Sequence, residues 1–348
     1  MHARPSLRRL PLVTLYLTER CNSRCVTCDY WRHGRVDMNL AAVEQLLPDL
    51  ARLQTRIALI SGGEPLLNPD WAGIASLLKA HGITPWLLTS GLSLAKHAQR
   101  AAQLFGAITV SLDGTIPATY ATIRGLDAFD KVCEGIRAAV DAGANVNVRV
   151  TLQRANFREL REFVGLTRRL GVRQISFLAV DVANPHAFGR TDEFALDVAL
   201  QADDLPILEQ LVESLERDHA EDFLRGFIAE SPQKLRRIHQ YFAAIQGVSP
   251  YPPVRCNAPE FSAVIDAKGH AHPCFFISGP TAPPVQDHLL EALNGHSMRE
   301  LRSAIRDGER LECGTCVCSM WRDLDTVDRS ILPMAQGTRR VVSPREIA

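Results

Sequence analysis

Through residue 180, short apolar runs rich in β-branched residues alternate with longer stretches in which apolar positions recur every three or four residues. The first kind predicts strands at 12–18 (LVTLYLT), 56–61 (RIALIS), 85–90 (PWLLTS), 107–113 (AITVSLD), 145–152 (NVNVRVTL) and 174–180 (QISFLAV). The second predicts helices over 38–53, 71–82, 94–106, 128–143 and 157–171, several of them ending in glycine. Strands that alternate with helices imply an α/β fold with parallel strands joined by right-handed crossovers. Six strands and five helices suit an open doubly wound sheet or a partial barrel, and periodicity alone does not separate the two.

Beyond residue 180 the alternation loosens. The stretch 181–194 (DVANPHAFGRTDEF) reads as a loop, and 203–245 as two or three helices around the break at Ser231-Pro232. The Pro-rich segment 248–254 (VSPYPPV) is the preferred domain boundary. After it, 261–276 (FSAVIDAKGHAHPCFF) predicts a β-hairpin turning at Ala267-Lys268-Gly269. A short helix runs through 297–301, and the tail from about 335 reads as loosely held. There is no internal repeat and no low-complexity tract.

Composition narrows the function classes. The 348 residues carry 39 basic and 39 acidic side chains, a formal net charge of zero, so no overall field draws the chain to nucleic acid or to an anionic membrane. The apolar run near the N-terminus is too short and too soon broken for a signal peptide. No run approaches the roughly 18 apolar residues of a membrane span. The expectation is a soluble cytoplasmic protein without nucleic-acid or membrane partners.

The nine cysteines are unevenly placed. Cys133 lies in a predicted helix and reads as core packing. The others form an early group, Cys21, Cys25 and Cys28, and a late one, Cys256, Cys274, Cys313, Cys316 and Cys318. In a reducing compartment clustered cysteines favour metal over disulfides. The early three fall just after the first strand. Three thiolates there suit three irons of a 4Fe–4S cluster, with the fourth iron open to another ligand. Zinc with a water or with His33 as fourth ligand is the competing reading.

The CxxxCxxC spacing after the first strand resembles the signature of the radical S-adenosylmethionine (SAM) enzymes. Further stretches match in order. Ser61-Gly62-Gly63-Glu64-Pro65 follows the second strand and resembles the family's GGEP motif. Thr89-Ser90-Gly91 resembles its TNG-type segment with Ser in place of Asn, and Ser111-Leu112-Asp113-Gly114 followed by Ile123-Arg124-Gly125 resembles its SLDG…IRG stretch. The resemblance covers roughly residues 12 to 180. It implies a partial (β/α)6 TIM-like barrel and a shared first step: SAM chelates the unique iron, and a reduced cluster cleaves it to methionine and a 5′-deoxyadenosyl radical that takes a hydrogen atom from the substrate.

The resemblance also implies roles. Gly62 and Gly63 would let backbone approach the methionyl end of SAM, with Pro65 completing the motif, and Glu64 would accept a hydrogen bond from its ammonium. Ser111 would meet SAM, and Thr89 and Asp113 its hydroxyls. Arg124 would pair with a carboxylate. Arg149, inside the fifth strand, is a cation suited to a substrate carboxylate or phosphate. Thr27 stands where many members carry an aromatic residue before the third cysteine, and Tyr30 is the candidate for the adenine contact. Each residue also has a structural reading as turn, cap or surface ion pair.

In the late group the order C-x12-G-x4-C…CxxC resembles the front half of a SPASM domain. Only Cys318 follows it, so the arrangement looks like the shortened "twitch" form. It implies that Cys256, Cys274, Cys313 and Cys316 hold an auxiliary 4Fe–4S cluster, with Cys318 the alternative to Cys316. A structural zinc ribbon is the competing reading, and His270 and His272 read as exposed rather than as ligands. The expected organisation is a radical SAM core over 1–202, a helical linker over 203–254, an auxiliary-cluster domain over 255–334 and a tail over 335–348. The expected activity is oxidation or rearrangement of a small metabolite, fed by an electron donor such as flavodoxin or ferredoxin. About eleven residues precede the first strand, which argues against a leader-binding module and so against the alternative of a peptide maturase. A non-catalytic zinc protein is the reading of a different class; it lacks the expected basic stripe with interleaved aromatics.

Overall fold

A computed structural model of the chain describes residues 6–32, 34–184, 187–190, 196–279, 284–285 and 288–324. His33, parts of the 181–194 loop and the 335–348 tail lie outside the described residues. The predicted alternation is realised as β1 (Leu12–Thr18), α1 (Leu40–Arg52), β2 (Ile57–Gly62), α2 (Trp71–Ala80), β3 (Thr84–Thr89), α3 (Leu94–Leu104) and β4 (Ala107–Ser111). Then come α4 (Pro117–Arg124), α5 (Phe129–Asp141), β5 (Val146–Leu152), α6 (Leu160–Arg169) and β6 (Gln174–Ala179). Helix α4 is not predicted, because eight residues are too few for periodicity to declare itself. It is made by Pro117 at its first turn and by Gly125 in the left-handed region (φ 69°) at its end.

The sheet order is β6-β5-β4-β3-β2-β1-β7-β8. The first seven strands are parallel, so the core is a partial barrel of the expected kind. Strand alternation gives it two faces. On β5, Val146, Val148, Val150 and Leu152 are buried in the layer under the helices, whereas Asn147, Arg149 and Thr151 are only partly buried on the other, concave face. Ser111, Arg149 and Ser176 are in register across β4, β5 and β6, and share that inner face.

The chain then packs α7 (Leu205–Asp218), α8 (Ala220–Leu224) and α9 (Pro232–Ile245) beside β6. Ser231 caps α9 by accepting from the Lys234 amide. The predicted hairpin forms as β7 (Ser262–Ile265) and β8 (Ala271–His272), with Gly269 in the left-handed region (φ 87°). Strand β7 pairs with β1 in parallel, so the hairpin continues the barrel sheet across the Pro-rich segment. Helices α10 (Leu289–Asn294), α11 (His296–Arg306) and α12 (Leu311–Gly314) complete the described chain. One end of the barrel interior is closed by Ile57, Ala258 and Phe261, with Leu12, Trp86 and Cys256 packed against them.

Candidate active site

The early cysteines sit on the loop leaving the C-terminal end of β1. Backbone contacts clamp this loop on three sides. The Gly63 amide donates to Thr18 O and the Glu64 amide to Arg20 O, both at 2.8 Å. From the opposite side the Arg24 and Val26 amides donate to Arg124 O and Ile123 O, both at 3.0 Å. The third contact is the Asp29 amide on Phe188 O, with the Arg190 guanidinium on Thr27 O.

Here the motif glycines find their reason. A Cβ on Gly63 would lie 2.2 Å from Arg20 O, and one on Gly125 2.3 Å from Arg24 O. Both are backbone-to-backbone approaches that only glycine permits. The glycines at 62 and 63 were expected to admit SAM; the atoms filling their Cβ space are those of β1 and the cysteine loop.

Glu64 is fully buried, and its carboxylate is saturated. Its Oε1 accepts from the Leu66 amide at 3.1 Å and the Thr89 hydroxyl at 2.8 Å; its Oε2 accepts from the Ser90 amide at 2.7 Å and the Ser90 hydroxyl at 2.6 Å. Four donors fill the four lone-pair positions of a carboxylate. Glu64 therefore braces β2 against the end of β3, and Thr89 is its partner. Pro65 opens the 3₁₀ turn that follows. The sequence marks Ser90 only as standing for Asn in the TNG-type segment; its hydroxyl oxygen also lies 3.2 Å from Asn22 Oδ1 inside the cysteine loop.

Asp113 and Arg124 meet each other rather than hydroxyls and a ligand carboxylate. The Arg124 Nη1 lies 3.1 Å from Asp113 Oδ2, both groups being buried, and Asp113 Oδ1 accepts from the Thr151 amide at 2.7 Å. Burial pushes the Asp113 carboxyl up, and Arg124 and the Thr151 amide draw it down. The Arg124 Nε is buried without a partner among the described residues, and its charge acts on Cys21, Cys25 and Cys28. Ser111 lies on the inner face, half-buried.

Of the two aromatics past Cys28, Tyr30 turns inward and Trp31 is held between cations. The Tyr30 ring meets Tyr16 edge-on at 5.7 Å; Trp31 has Arg24 and Arg32 over its faces at 4.8 and 4.7 Å. Tyr16 continues to Phe275 at 6.4 Å and feels the charge of both Cys28 and Cys274. It thus stands between the two cysteine groups, a position no sequence pattern announced.

The late cysteines are gathered by the hairpin and by Asn257. That residue exchanges two hydrogen bonds with the Arg322 backbone and donates its amide to Met320 O, bringing the CxxC loop back to Cys256. Cys316 lies within electrostatic range of Cys256, Cys274 and Cys318. His270 and His272 both meet Asp266, at 3.1 and 3.3 Å; the Gly279 amide donates to His272 Nδ1 at 2.8 Å, so Nε2 carries the proton towards Asp266. Cys133 is buried in α5, in the core.

The donor set fits iron–sulfur ligation. Cys21, Cys256, Cys274 and Cys316 each receive on sulfur the backbone amide of the residue two positions on, at 3.4–3.5 Å. Such turns present a sulfur and favour its thiolate. Burial pushes the Cys28 and Cys274 thiols up to about 12, so a bound cation has to replace the proton for the thiolate to form. Among the described residues no three His, Cys, Asp or Glu side chains converge on a point that would hold one metal ion.

Residues 15–167 match the Radical SAM superfamily model. Among individual proteins, the chain is 29% identical over 215 residues to a probable GTP 3′,8-cyclase of Saccharolobus solfataricus, spanning 60% of this chain and 66% of that one. It is 28% identical over 207 residues to the Fe-coproporphyrin III synthase of Methanosarcina barkeri, spanning 58% and 51%. The matches thus cover less than two thirds of these relatives. In fold it resembles Streptococcus suis SuiB bound to S-adenosylmethionine, with a TM-score of 0.63 and 14% identity over 92% of this chain and 75% of that one. No described helix is long and apolar enough to cross a membrane.

Proposed function

We propose that the chain is a two-cluster radical SAM enzyme that oxidises or rearranges a small metabolite inside the barrel. The observation that carries this is the placing of the two cysteine groups around the inner face. One is clamped at the strands' C-terminal ends by Gly63 and Gly125, and the other reaches the interior beside Cys256 and Phe275. The SPASM or twitch character of the C-terminal segment, the division at 202, 254 and 334, and an electron donor such as flavodoxin or ferredoxin belong to the same reading.

When bound, the cluster on Cys21, Cys25 and Cys28 and SAM supply a 5′-deoxyadenosyl radical that removes a hydrogen atom from the substrate. The chain's own residues position and insulate. Glu64, Thr89 and Ser90 lock the loop geometry, and Arg124, held by Asp113, sets a positive charge beside the thiolates. Ser111 would offer a hydroxyl to SAM from the inner face, and Tyr30 would supply the adenine contact. Cys256, Cys274, Cys313 and Cys316 hold the auxiliary cluster, whose chemistry there is to accept an electron. Cys316 is preferred to Cys318 because it lies within electrostatic range of both Cys256 and Cys274 and receives the Cys318 amide on its sulfur.

The test is anaerobic reconstitution with iron and sulfide, followed by reduction in the presence of SAM and assay for 5′-deoxyadenosine. About eight irons per chain are expected, falling to about four in a Cys21/Cys25/Cys28→Ala variant that no longer cleaves SAM. Four irons or fewer in the wild type, no SAM cleavage, and zinc kept by the late cysteines would leave a zinc-bearing barrel instead.

A further inference from the structure

Three buried donors beside the early cysteines lack an acceptor. The hydroxyls of Ser23 and Tyr120 and the Nε of Arg124 are all shut off from solvent, with no acceptor among the described residues. Ser23 and Tyr120 are each 0% exposed. A buried donor left unpaired is costly unless something comes to meet it. Three of them on one loop and one helix call for an acceptor that the chain's oxygens do not supply.

Backbone geometry brings these donors to Cys25. Tyr120 and Arg124 are four residues apart on α4 and so share a face of the helix. The amides on either side of Cys25, those of Arg24 and Val26, donate to Arg124 O and Ile123 O at 3.0 Å, which sets Cys25 against the end of that helix. A Cβ on Gly125 would run into Arg24 O, so loop and helix approach as closely as backbone allows. Ser23 comes from the loop itself, two residues before Cys25; its amide is spent on the Cys21 sulfur at 3.5 Å, and its hydroxyl is left over. On α4 the two donors cannot satisfy each other. Asp113 meets Arg124 at Nη1, 3.1 Å, and the Tyr120 hydroxyl lies beside the same guanidinium, which has only donors to offer. The Tyr120 proton and the Arg124 Nε proton are therefore left for an acceptor outside the pair. Burial pushes the Cys25 thiol up, and Arg124 is the charge that most draws it down.

We propose that the hydroxyls of Ser23 and Tyr120 and the Nε of Arg124 form a donor cradle for the sulfur of Cys25 and the cluster it holds, and that this cradle sets the cluster's reduction potential. This rests on the reading of Cys21, Cys25 and Cys28 as cluster ligands. Reduction adds negative charge to the sulfurs. Fixed donors facing them favour the reduced form, the more so away from water. The cradle therefore raises the potential and eases entry of the electron with which the chemistry begins.

The experiment is an EPR-monitored redox titration of the reconstituted protein without SAM, with the late cluster as internal reference. Tyr120→Phe removes one hydroxyl and keeps the ring. The equilibrium for reducing the early cluster is expected to fall about tenfold in it, about 59 mV for one electron, while the late cluster stays where it is. Ser23→Ala is expected to move the early cluster in the same direction. Phe129→Leu disturbs the packing around the Tyr120 ring, whose centroid is 6.2 Å away, without removing a donor, and is expected to leave the potential unchanged. An unmoved potential in both Tyr120→Phe and Ser23→Ala overturns the proposal, as does an equal shift in Phe129→Leu. So does a tenfold weaker Kd for SAM in Tyr120→Phe, which would give the hydroxyl to the ligand. Early cysteines that take up no iron strike the parent reading along with the cradle; an intact early cluster whose potential does not move strikes the cradle alone.

Discussion

Replacing Glu64 by Gln tests whether the motif glutamate is a ligand for SAM or a brace. One backbone amide points at each carboxylate oxygen, Leu66 N at Oε1 and Ser90 N at Oε2. Whichever way the glutamine amide is turned, its NH₂ faces one of these donors, and a backbone amide cannot reverse. The hydroxyls of Thr89 and Ser90 can turn to accept, but only by giving up their present bonds. Leaving one buried donor opposed costs about 2 kcal/mol, and exchanging charged for neutral acceptors adds about 1, so the expected loss is about 3 kcal/mol. For a chain of this size that corresponds to a fall in Tm of roughly 4 °C. Thermal unfolding of the reconstituted protein without SAM measures it, with urea midpoints as a check at unchanged m. A Tm within a degree of the wild type, coupled with loss of SAM binding, would refute the brace and return Glu64 to the ligand's ammonium.

Gly63→Ala and Gly125→Ala each press a Cβ into a carbonyl of the cysteine loop, at Arg20 O and Arg24 O; iron content is expected to fall by about four per chain while the late cluster stays, by iron counting and EPR. Arg124→Met strands the Asp113 carboxylate and is expected to cost about 3–5 kcal/mol, with part regained in Arg124→Met/Asp113→Asn; denaturation of single and double variants measures the coupling. Asp266 is held down to about 2 against a burial that raises it, chiefly by hydrogen bonds from His272 and His270. Its contribution to stability is full above the ordinary carboxylate range and is lost as pH falls from about 4 towards 2. The gap in Tm between wild type and Asp266→Asn is therefore expected to be constant above about pH 5 and to narrow below it; a gap that widens with acid would contradict the assignment.

The six strands were legible because each is a run of β-branched and apolar residues long enough to overwhelm its flanks, and five helices because their buried stripes repeat over three turns. Helix α4 was not, being two turns long and dependent on Pro117 and Gly125 for its limits. Cysteine spacing and the GGEP, SLDG and IRG stretches were visible as motifs, but the duties inferred from them shifted. Residues expected to touch a ligand, Glu64, Thr89, Asp113 and Arg124, spend their polar atoms on one another and on backbone amides. Tyr16 carried no motif signal, since a tyrosine within a strand is compositionally ordinary, and Ser90 was marked as a motif position without the bond to Glu64 being legible.

By itself the sequence determined which segments become strands and helices, their parallel order, and which cysteines lie at the ends of neighbouring elements. Those are consequences of local periodicity and of glycine placed where no Cβ fits. Only the tertiary structure decided how the polar groups pair off. A carboxylate 0% exposed must find its donors wherever the fold brings them. Glu64 finds Ser90 across two strands, Asp113 finds Arg124 across a turn, and Asn257 finds Arg322 from 65 residues away. The Nε of Arg149 is buried without an acceptor among the described residues, because burial and register are properties of the assembled sheet and not of any stretch of chain.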